Sequence, residues 1–498
     1  MNKEKTIEMI FIVFLVVIGI YYMYLATQTA FLGEDEAAYI TLGKQILNLN
    51  YAARDFWGNP NTTPPFIPLF YAVFFSLFGS SLSIAKIVST LFGILTLFFV
   101  FLLGKKINIY VGIFSVFILL LMSLFTHFML IAYVDVPIAF FSVLSLYLIS
   151  EIKNKKSAVL AGLIIGISYY VKESGLFIAL ALLLYSFILY LVQRDKNKFK
   201  FYILATIISL ALISISIVRN VLLFGYPYSI LFNIFFPSPT TPTWFSKLGA
   251  GVLSPSIAGL NDYAGIFGLI PLFLAIFSII YIFIDRKNIK IDSIFFSTFL
   301  FILFLVISIL LYAAAKLIAD ARYFMIILPQ LALVEGFYLW KLKDYKKYLL
   351  VIIVPILVFS LYSSVTTAIS TSQTQRFPTD YVDALTWIKN NTPKDSLIFT
   401  TYGGTTRYFA DRNNFWQDVK EFPDVMTTTN STFIYQTLKK YNISYILIWR
   451  GVLAQDYIIP QSNIIGVFTY NFLNTVVNDT QHFNVTYQNQ DNIILKLV

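Results

Sequence analysis

Apolar runs of membrane-spanning length fill most of this chain. A helix needs roughly 17 to 25 residues to cross the hydrocarbon of a bilayer. Eleven such runs can be counted, the fifth of them short, at about 8–30, 81–104, 107–126, 131–150, 158–172, 175–192, 201–218, 263–284, 292–313, 322–340 and 348–366. The stretches 107–150 and 158–192 are each too long for one crossing. Polar interruptions divide them, at Thr126 and His127 in the first and at Lys172 to Gly175 in the second. With 58% hydrophobic residues, 12% charged ones and a mean hydropathy of +0.74, a soluble globular protein is excluded and a polytopic α-helical membrane protein is expected.

The net charge of +10 would suggest nucleic acid in a soluble chain. Here its distribution gives a different answer. Lys3 and Lys5, Lys105 and Lys106, Lys153 to Lys156, Arg194 to Lys200, Arg286 to Lys290 and Lys341 to Lys347 all fall between spans on one side, and they hold half of the 36 Lys and Arg. That side is cytoplasmic by the positive-inside rule, so the charge is a topology signal and no nucleic-acid partner is expected. Eleven spans starting inside leave the C-terminus outside, and the plasma membrane is the expected location. The segments 31–80, 219–262 and everything after about 370 are then extracytoplasmic. Six Asn-x-Ser/Thr sequons, at Asn61, Asn390, Asn430, Asn442, Asn478 and Asn484, all lie in those segments. The N-terminal run is longer than a signal-peptide core and lacks a small-residue cleavage site, so a retained first helix is expected. Absence of cysteine removes disulfides and thiolate metal sites, and with only His127 and His482 a multi-histidine zinc site is out as well.

A composition change near 368 divides the chain into a membrane domain, 1–368, and a C-terminal segment, 369–498. In the latter an amphipathic helix over Tyr381–Asn390, a β-rich run at 396–401, a helix in "FIYQTLKKYN" and strands "ISYILIW" and "NIILKLV" predict a small extracytoplasmic α/β domain. In the first outer loop, an amphipathic helix is expected to begin near Asp35. The segment Pro65–Gly79 is too short to span and carries Pro68, which predicts a piece lying on or re-entering the outer membrane surface.

The loop opens on three consecutive acids, Glu34, Asp35 and Glu36, set directly after an apolar run. One acid suffices to favour a helix N-terminus; three at the membrane surface exceed that need. Asp135 is the one acid between Asp55 and Glu151, and it begins a span on the same outer side. A carboxylate there costs up to about 3 kcal/mol unless paired or solvated. Lys172, Arg219 and Arg322 map to outer helix ends, against the positive-inside trend. Snorkelling accounts for any one of them. Three cations with isolated acids on one face suggest a pocket for an anionic, phosphate-bearing substrate. A transporter or flippase for an anionic lipid or solute also needs cavity charges, but usually shows internal repeats, and none is visible.

These residues carry a resemblance. "GEDEAAYITLGKQIL" resembles the Asp-Glu motif in the first outer loop of polyprenyl-phosphate-sugar-dependent glycosyltransferases of the GT-C superfamily, the group of protein O-mannosyltransferases and aminoarabinose (ArnT-like) transferases. "NPNTTPPFIPLFYAVFFSLFG" is similar to the His-Pro-Pro or Lys-Pro segment that follows, with Thr63 in the place of His or Lys. "YVDVPIAFF" resembles their second acidic motif, "AGLIIGISYYVKESGLFI" their Gly-rich helix ending in Lys, and "ARYFMIILPQLALVEG" their late Arg-Tyr helix. The ordered set covers roughly residues 15–190 and 315–340; the Trp-Trp-Asp signature of oligosaccharyltransferases is absent.

The resemblance implies a GT-C fold with about eleven transmembrane helices and an inverting transfer of a sugar from a polyprenyl (dolichyl-type) phosphate to an acceptor hydroxyl on a lipid, glycan or protein. It implies Asp35 as general base, Glu36 as its partner, and Asp135 to position hydroxyls or help hold a divalent metal ion. Lys172, Arg219 and Arg322 would bind the phosphate with Tyr323 nearby, and Tyr39 and Thr63 complete the substrate-binding set.

Overall fold

The computed structural model describes residues 3–29, 33–49, 63–193, 196–225, 321–342, 378–400, 402–414, 422–452 and 468–498, with scattered residues of 296–303 and 355–371. Several apolar runs become helices where a small polar residue satisfies a free backbone donor at the start. Ser81 accepts from the Ile84 N–H (3.2 Å), Asn108 from Tyr110 (3.0 Å) and Asn154 from Ser157 (3.0 Å). The helices of the first part are α1 (Lys3–Gln28), α2 (Glu34–Leu47), α3 (Phe66–Phe78), α4 (Leu82–Lys105), α5 (Ile109–Leu121), α6 (Ser123–Met129), α7 (Asp135–Ser150), α8 (Lys155–Val171), α9 (Leu176–Gln193), α10 (Lys196–Phe224) and α11 (Leu328–Leu342).

Among the described residues, α1, α4, α10 and the stretch Phe324–Lys341 are long and apolar enough to cross a membrane, and the bent pair α5–α6 makes a fifth if it counts as one span. Shorter apolar helices accompany them. The chain is therefore a multi-pass membrane protein. The run expected at 263–284 lies outside the described residues, as do most of 292–313, 348–366 and the loop 219–262.

Two expected spans take a different form. The run at 107–126 breaks at Met122, where extended backbone (φ −73°, ψ 100°) separates α5 from α6 with a 77° bend. Thr126 and His127, expected at the turn, lie inside α6 instead. Their polar atoms are satisfied there: Thr126 Oγ1 donates to the Ser123 carbonyl (3.1 Å), and His127 Nδ1 lies 2.9 Å from Thr371 Oγ1. The run at 322–340 opens as seven residues of 3-10 helix, Ala321–Ile327, before α11. Pro329 supplies a reason, since its ring would clash with the carbonyl of Met325 in a continuous α-helix.

Close packing in the membrane part relies on small residues. A Cβ on Gly104 would stand 2.5 Å from Gly112 Cα, which draws α4 and α5 together, and one on Gly162 would stand 2.6 Å from the Ala205 carbonyl, which does the same for α8 and α10.

Beyond residue 378 the chain changes to α12 (Thr379–Asn391), β1 (Leu397–Phe399), α13 (Gly403–Ala410), β2 (Asn413–Asn414), α14 (Phe422–Thr427), α15 (Ser431–Lys440), β3 (Ile443–Trp449), α16 (Tyr470–Asn478), β4 (Phe483–Gln488) and β5 (Asn492–Leu497). The strands form one sheet in the order β2-β1-β3-β5-β4; β2, β1 and β3 run parallel, while β5 is antiparallel to both β3 and β4. Alternation along a strand sends successive side chains to opposite faces. Tyr445 and Leu447 of β3 and Ile494 of β5 therefore join the core shared with α12 and the membrane helices, while Ile446, Ile448, Ile493 and Leu495 pack under α15 and α16. Both faces are covered, which is why "ISYILIW" reads as a nearly unbroken apolar run. Arg412, 4% exposed, ties the helices on the first face: it donates to the Lys389 and Thr392 carbonyls closing α12 (2.8 and 2.6 Å) and to the Ala410 carbonyl ending α13 (3.1 Å).

Candidate active site

Gly33 precedes α2 in extended backbone (φ −82°), and its N–H donates to Glu36 Oε2 (3.3 Å), which fixes the start of the helix. Successive helical residues point about 100° apart, so Asp35 and Glu36 face different surroundings. Glu36 turns inward and is fully buried. Its Oε1 accepts from the Ala132 N–H (2.6 Å) and lies 3.7 Å from Lys86 Nζ, which in turn donates to the Thr29 carbonyl (3.0 Å). Burial pushes the Glu36 carboxyl up to about 7, against the pull of Lys86 and of the Ala132 and Gly33 N–H groups. Four pieces of chain meet at this clamp: the end of α1, the start of α2, α4, and the turn that leads into α7.

That turn delivers Asp135 as the first residue of α7, 1% exposed. Pro137 two residues on needs no hydrogen-bond acceptor for the donor it lacks. Across from it α8 ends at Lys172, whose backbone is extended (φ −155°, ψ 140°) before the short 3-10 turn Glu173–Gly175. The extension aims the Lys172 ammonium at Asp135, and the two form an ion pair. Asp35 forms the second pair, with Arg322 of the 3-10 segment. The Arg322 guanidinium carbon also lies 5.7 Å from the centre of the Tyr133 ring.

A cavity of about 170 Å³ opens over these pairs, lined by Asp35, Tyr39, Thr63, Pro64, Val134, Asp135, Val171, Lys172, Glu173 and Arg322. A neighbouring cavity of about 70 Å³ shares Thr63, Pro64 and Glu173 and adds Tyr169, Tyr170, Ser216, Arg219 and Asn220. Arg219 Nη1 donates to Asn220 Oδ1 (2.8 Å). Of the residues expected from sequence, the fold brings Asp35, Tyr39, Thr63, Asp135, Lys172 and Arg322 to one cavity and Arg219 to the next. Glu36 is not among the lining residues; it sits beneath, in the clamp. Tyr323 follows Arg322 in the 3-10 segment, and its side chain lies outside the described atoms.

Two residues were not anticipated. Glu173 borders both cavities, yet in "YYVKESG" it reads as part of a polar turn. Lys86 reads as one charge absorbed in a 24-residue helix, although a lone lysine in an apolar span is itself a signal. Among the described residues, no group of three Asp, Glu or His side chains is placed to hold a metal ion. Asp35 and Asp135 each already face a cation, so a divalent ion between them would meet positive charge. Among the described residues the donor set does not fit a metal, and no step below is routed through one.

The family profile described as dolichyl-phosphate-mannose-protein mannosyltransferase matches residues 62–218. That segment includes Thr63, Asp135 and Lys172; Asp35 lies before it and Arg219 directly after. No curated protein sequence matches the chain. Several solved structures share its fold. ArnT from Cupriavidus metallidurans bound to undecaprenyl phosphate aligns at 12% identity over 98% of both chains, with a TM-score of 0.64. The Archaeoglobus fulgidus oligosaccharyltransferase in its apo form aligns at 14% identity over 88% of this chain and 70% of that one, TM-score 0.62. The mycobacterial arabinofuranosyltransferase AftD aligns at 12% identity over 97% of this chain and 40% of that one, TM-score 0.53. Fold and profile together support a class, the GT-C membrane glycosyltransferases: the profile matches about a third of the chain, and the solved structures share its fold. Within the class, its profile match is to the mannosyltransferase family and its full-length likeness of fold is to ArnT.

Proposed function

We propose that the chain is an inverting glycosyltransferase that moves a sugar from a polyprenyl (dolichyl-type) phosphate to an acceptor hydroxyl at the outer face of the membrane. In this reading the N-terminus is cytoplasmic, and the site and the C-terminal domain are extracytoplasmic. The observation that carries it is the convergence of Asp35, Asp135, Lys172 and Arg322 on one cavity from four separate segments. Solved neighbours hold dolichol-phosphate in the Archaeoglobus enzyme and undecaprenyl phosphate in ArnT, which supports a lipid phosphate as the ligand class.

Asp35 takes the proton of the acceptor hydroxyl as its oxygen attacks the anomeric carbon. The new C–O bond forms on one face while the bond to the phosphate oxygen breaks on the other, and the electron pair leaves with the polyprenyl phosphate. One displacement inverts the anomeric centre. Lys172, Arg219 and Arg322 meet the charge that develops on the leaving phosphate. In the free protein Arg322 rests on Asp35; the incoming phosphate competes for the guanidinium and releases the carboxylate for base work. Asp135, held by Lys172, orients sugar or acceptor hydroxyls.

The test is release of free polyprenyl phosphate from a polyprenyl-phosphate-hexose, with envelope extract as acceptor. Asp35→Asn should lower release by about 10²- to 10⁴-fold, the usual worth of a general base, with donor binding retained. Equal release by both proteins would remove Asp35 from that role. Donor moved across vesicles without cleavage would establish a transporter instead.

A further inference from the structure

β4 ends the sheet, and among the described residues no strand lies beyond it. An edge of that kind offers unpaired N–H and C=O groups to any extended chain, and proteins guard such edges with charge, proline, bulges or a cover. Phe483–Gln488 contains no charged residue and no proline. Its one built-in guard is a register shift between Val485 and Tyr487, which leaves Thr486 as the extra residue of a bulge. Val485 beside it is 40% exposed.

The same edge carries two sequons. Asn484-Val485-Thr486 lies on the strand itself, and Asn478-Asp479-Thr480 lies where α16 turns into it; both asparagines are exposed. The turn is fixed, because Asp479 Oδ1 accepts from the Gln481 and His482 N–H groups (3.1 and 3.2 Å), and Thr480 is exposed upon it. Other sequons are closed by the fold. Thr392, the hydroxyl residue for Asn390, is buried and held on both sides, donating to the Ile388 carbonyl (2.7 Å) and accepting from Arg412 Nε (3.0 Å), whereas Thr486 is half-buried on the edge strand and makes a single, longer bond to the Ile494 carbonyl (3.2 Å). Asn442 runs directly into β3, an inner strand between β1 and β5.

We propose that Asn478 and Asn484 are N-glycosylation sites and that their glycans cover the β4 edge. The ligand class is a lipid-phosphate-linked oligosaccharide, delivered by a separate N-glycosylating transferase on the same side of the membrane. A C–N bond forms between the asparagine Nδ2 and the anomeric carbon. The bond from that carbon to the phosphate oxygen breaks with its electrons leaving on the phosphate, and the nitrogen's proton passes to the transferase's base. The inference rests on the extracytoplasmic placement of the C-terminal domain and not on the chain's own catalysis.

The full chain, purified from membranes of its source organism and digested, should yield peptides of Asn478 and Asn484 with the added mass of a glycan, and bare peptides of Asn390 and Asn442. Asn478→Gln and Asn484→Gln should each remove one step of gel mobility, and the double variant should aggregate faster on heating. Bare peptides at both sites would overturn the proposal. Because the chain has no cysteine, Gln481→Cys with a membrane-impermeant maleimide separates the causes. Labelling of intact cells with bare peptides sinks the glycans alone, and no labelling with bare peptides sinks the outer placement as well. Neither result alters the Asp35→Asn comparison.

Discussion

At the scale of single residues, the clamp under the cavity is more informative than the acids in it. Lys86 and Glu36 are fully buried and hold four segments through two backbone hydrogen bonds and one ion pair. Breaking one side of a buried pair typically costs about 3–5 kcal/mol, whereas replacing both sides together is often nearly neutral. Lys86→Met alone should therefore lower the thermal midpoint sharply, and Glu36→Gln with Lys86→Met should recover much of it, read by thermal unfolding in detergent. Sugar transfer should not recover in parallel, because the Ala132 and Thr29 contacts that set the spacing of Asp35 and Asp135 are weakened in the double variant. A double variant with full activity would reduce the clamp to a packing device. The sequence disclosed the acids more readily than the clamp for a physical reason. A carboxylate beside a membrane is conspicuous because it is costly, so Asp35 and Asp135 stand out; a lysine whose partner lies 50 positions earlier does not declare that partner.

At the scale of elements, apolar run length located the described helices but missed some of their ends by five or six residues, as at Lys196–Phe224 against an expected 201–218, and said little about where they would break. The 3-10 segment Ala321–Ile327 is the consequential case, since it carries Arg322 to Asp35. A 3-10 turn rises about 2.0 Å per residue against about 1.5 Å in an α-helix and turns through a different angle, so the same residues in an α-helix would present Arg322 elsewhere. Pro329 discourages that helix. Pro329→Ala should let α11 extend toward residue 321, leaving overall stability equal or higher while transfer falls, by up to about 10² if the guanidinium moves by an ångström. Kinetics beside a thermal melt separate the two effects, and unchanged kinetics would show that Pro329 does not hold Arg322 in place. The C-terminal strands illustrate a different limit. "ISYILIW" and "NIILKLV" were legible because inner strands are apolar on both faces, whereas β2 is two residues long and β4, an edge with mixed polarity, has too weak a pattern to read.

At the scale of the whole molecule, composition suggests a boundary near 368, yet the buried core crosses it. Ala37 and Ile40 of α2 belong to the same apolar cluster as Tyr381, Leu385 and Ala410 of the C-terminal segment. α13 lies on α2, with the Lys44 ammonium 4.2 Å from the centre of the Tyr408 ring. The helix that carries Asp35 is thus fixed twice, at its N-terminus by Glu36 and toward its C-terminus by Tyr408. Nothing in the local sequence of "GGTTRYFA" announces this, because the partner is more than 350 positions away. Tyr408→Ala removes a cation–π contact worth about 0.5–2 kcal/mol together with the aromatic packing over α2. The expected result is a several-fold fall in kcat with the affinity for free polyprenyl phosphate little changed, because the cations Lys172 and Arg219 do not stand on α2. Tyr408→Phe keeps the ring and should retain most of the activity. Loss of phosphate affinity equal to the loss of kcat would mean that the C-terminal segment supports the whole cavity; no loss of either would mean that it only packs against α2.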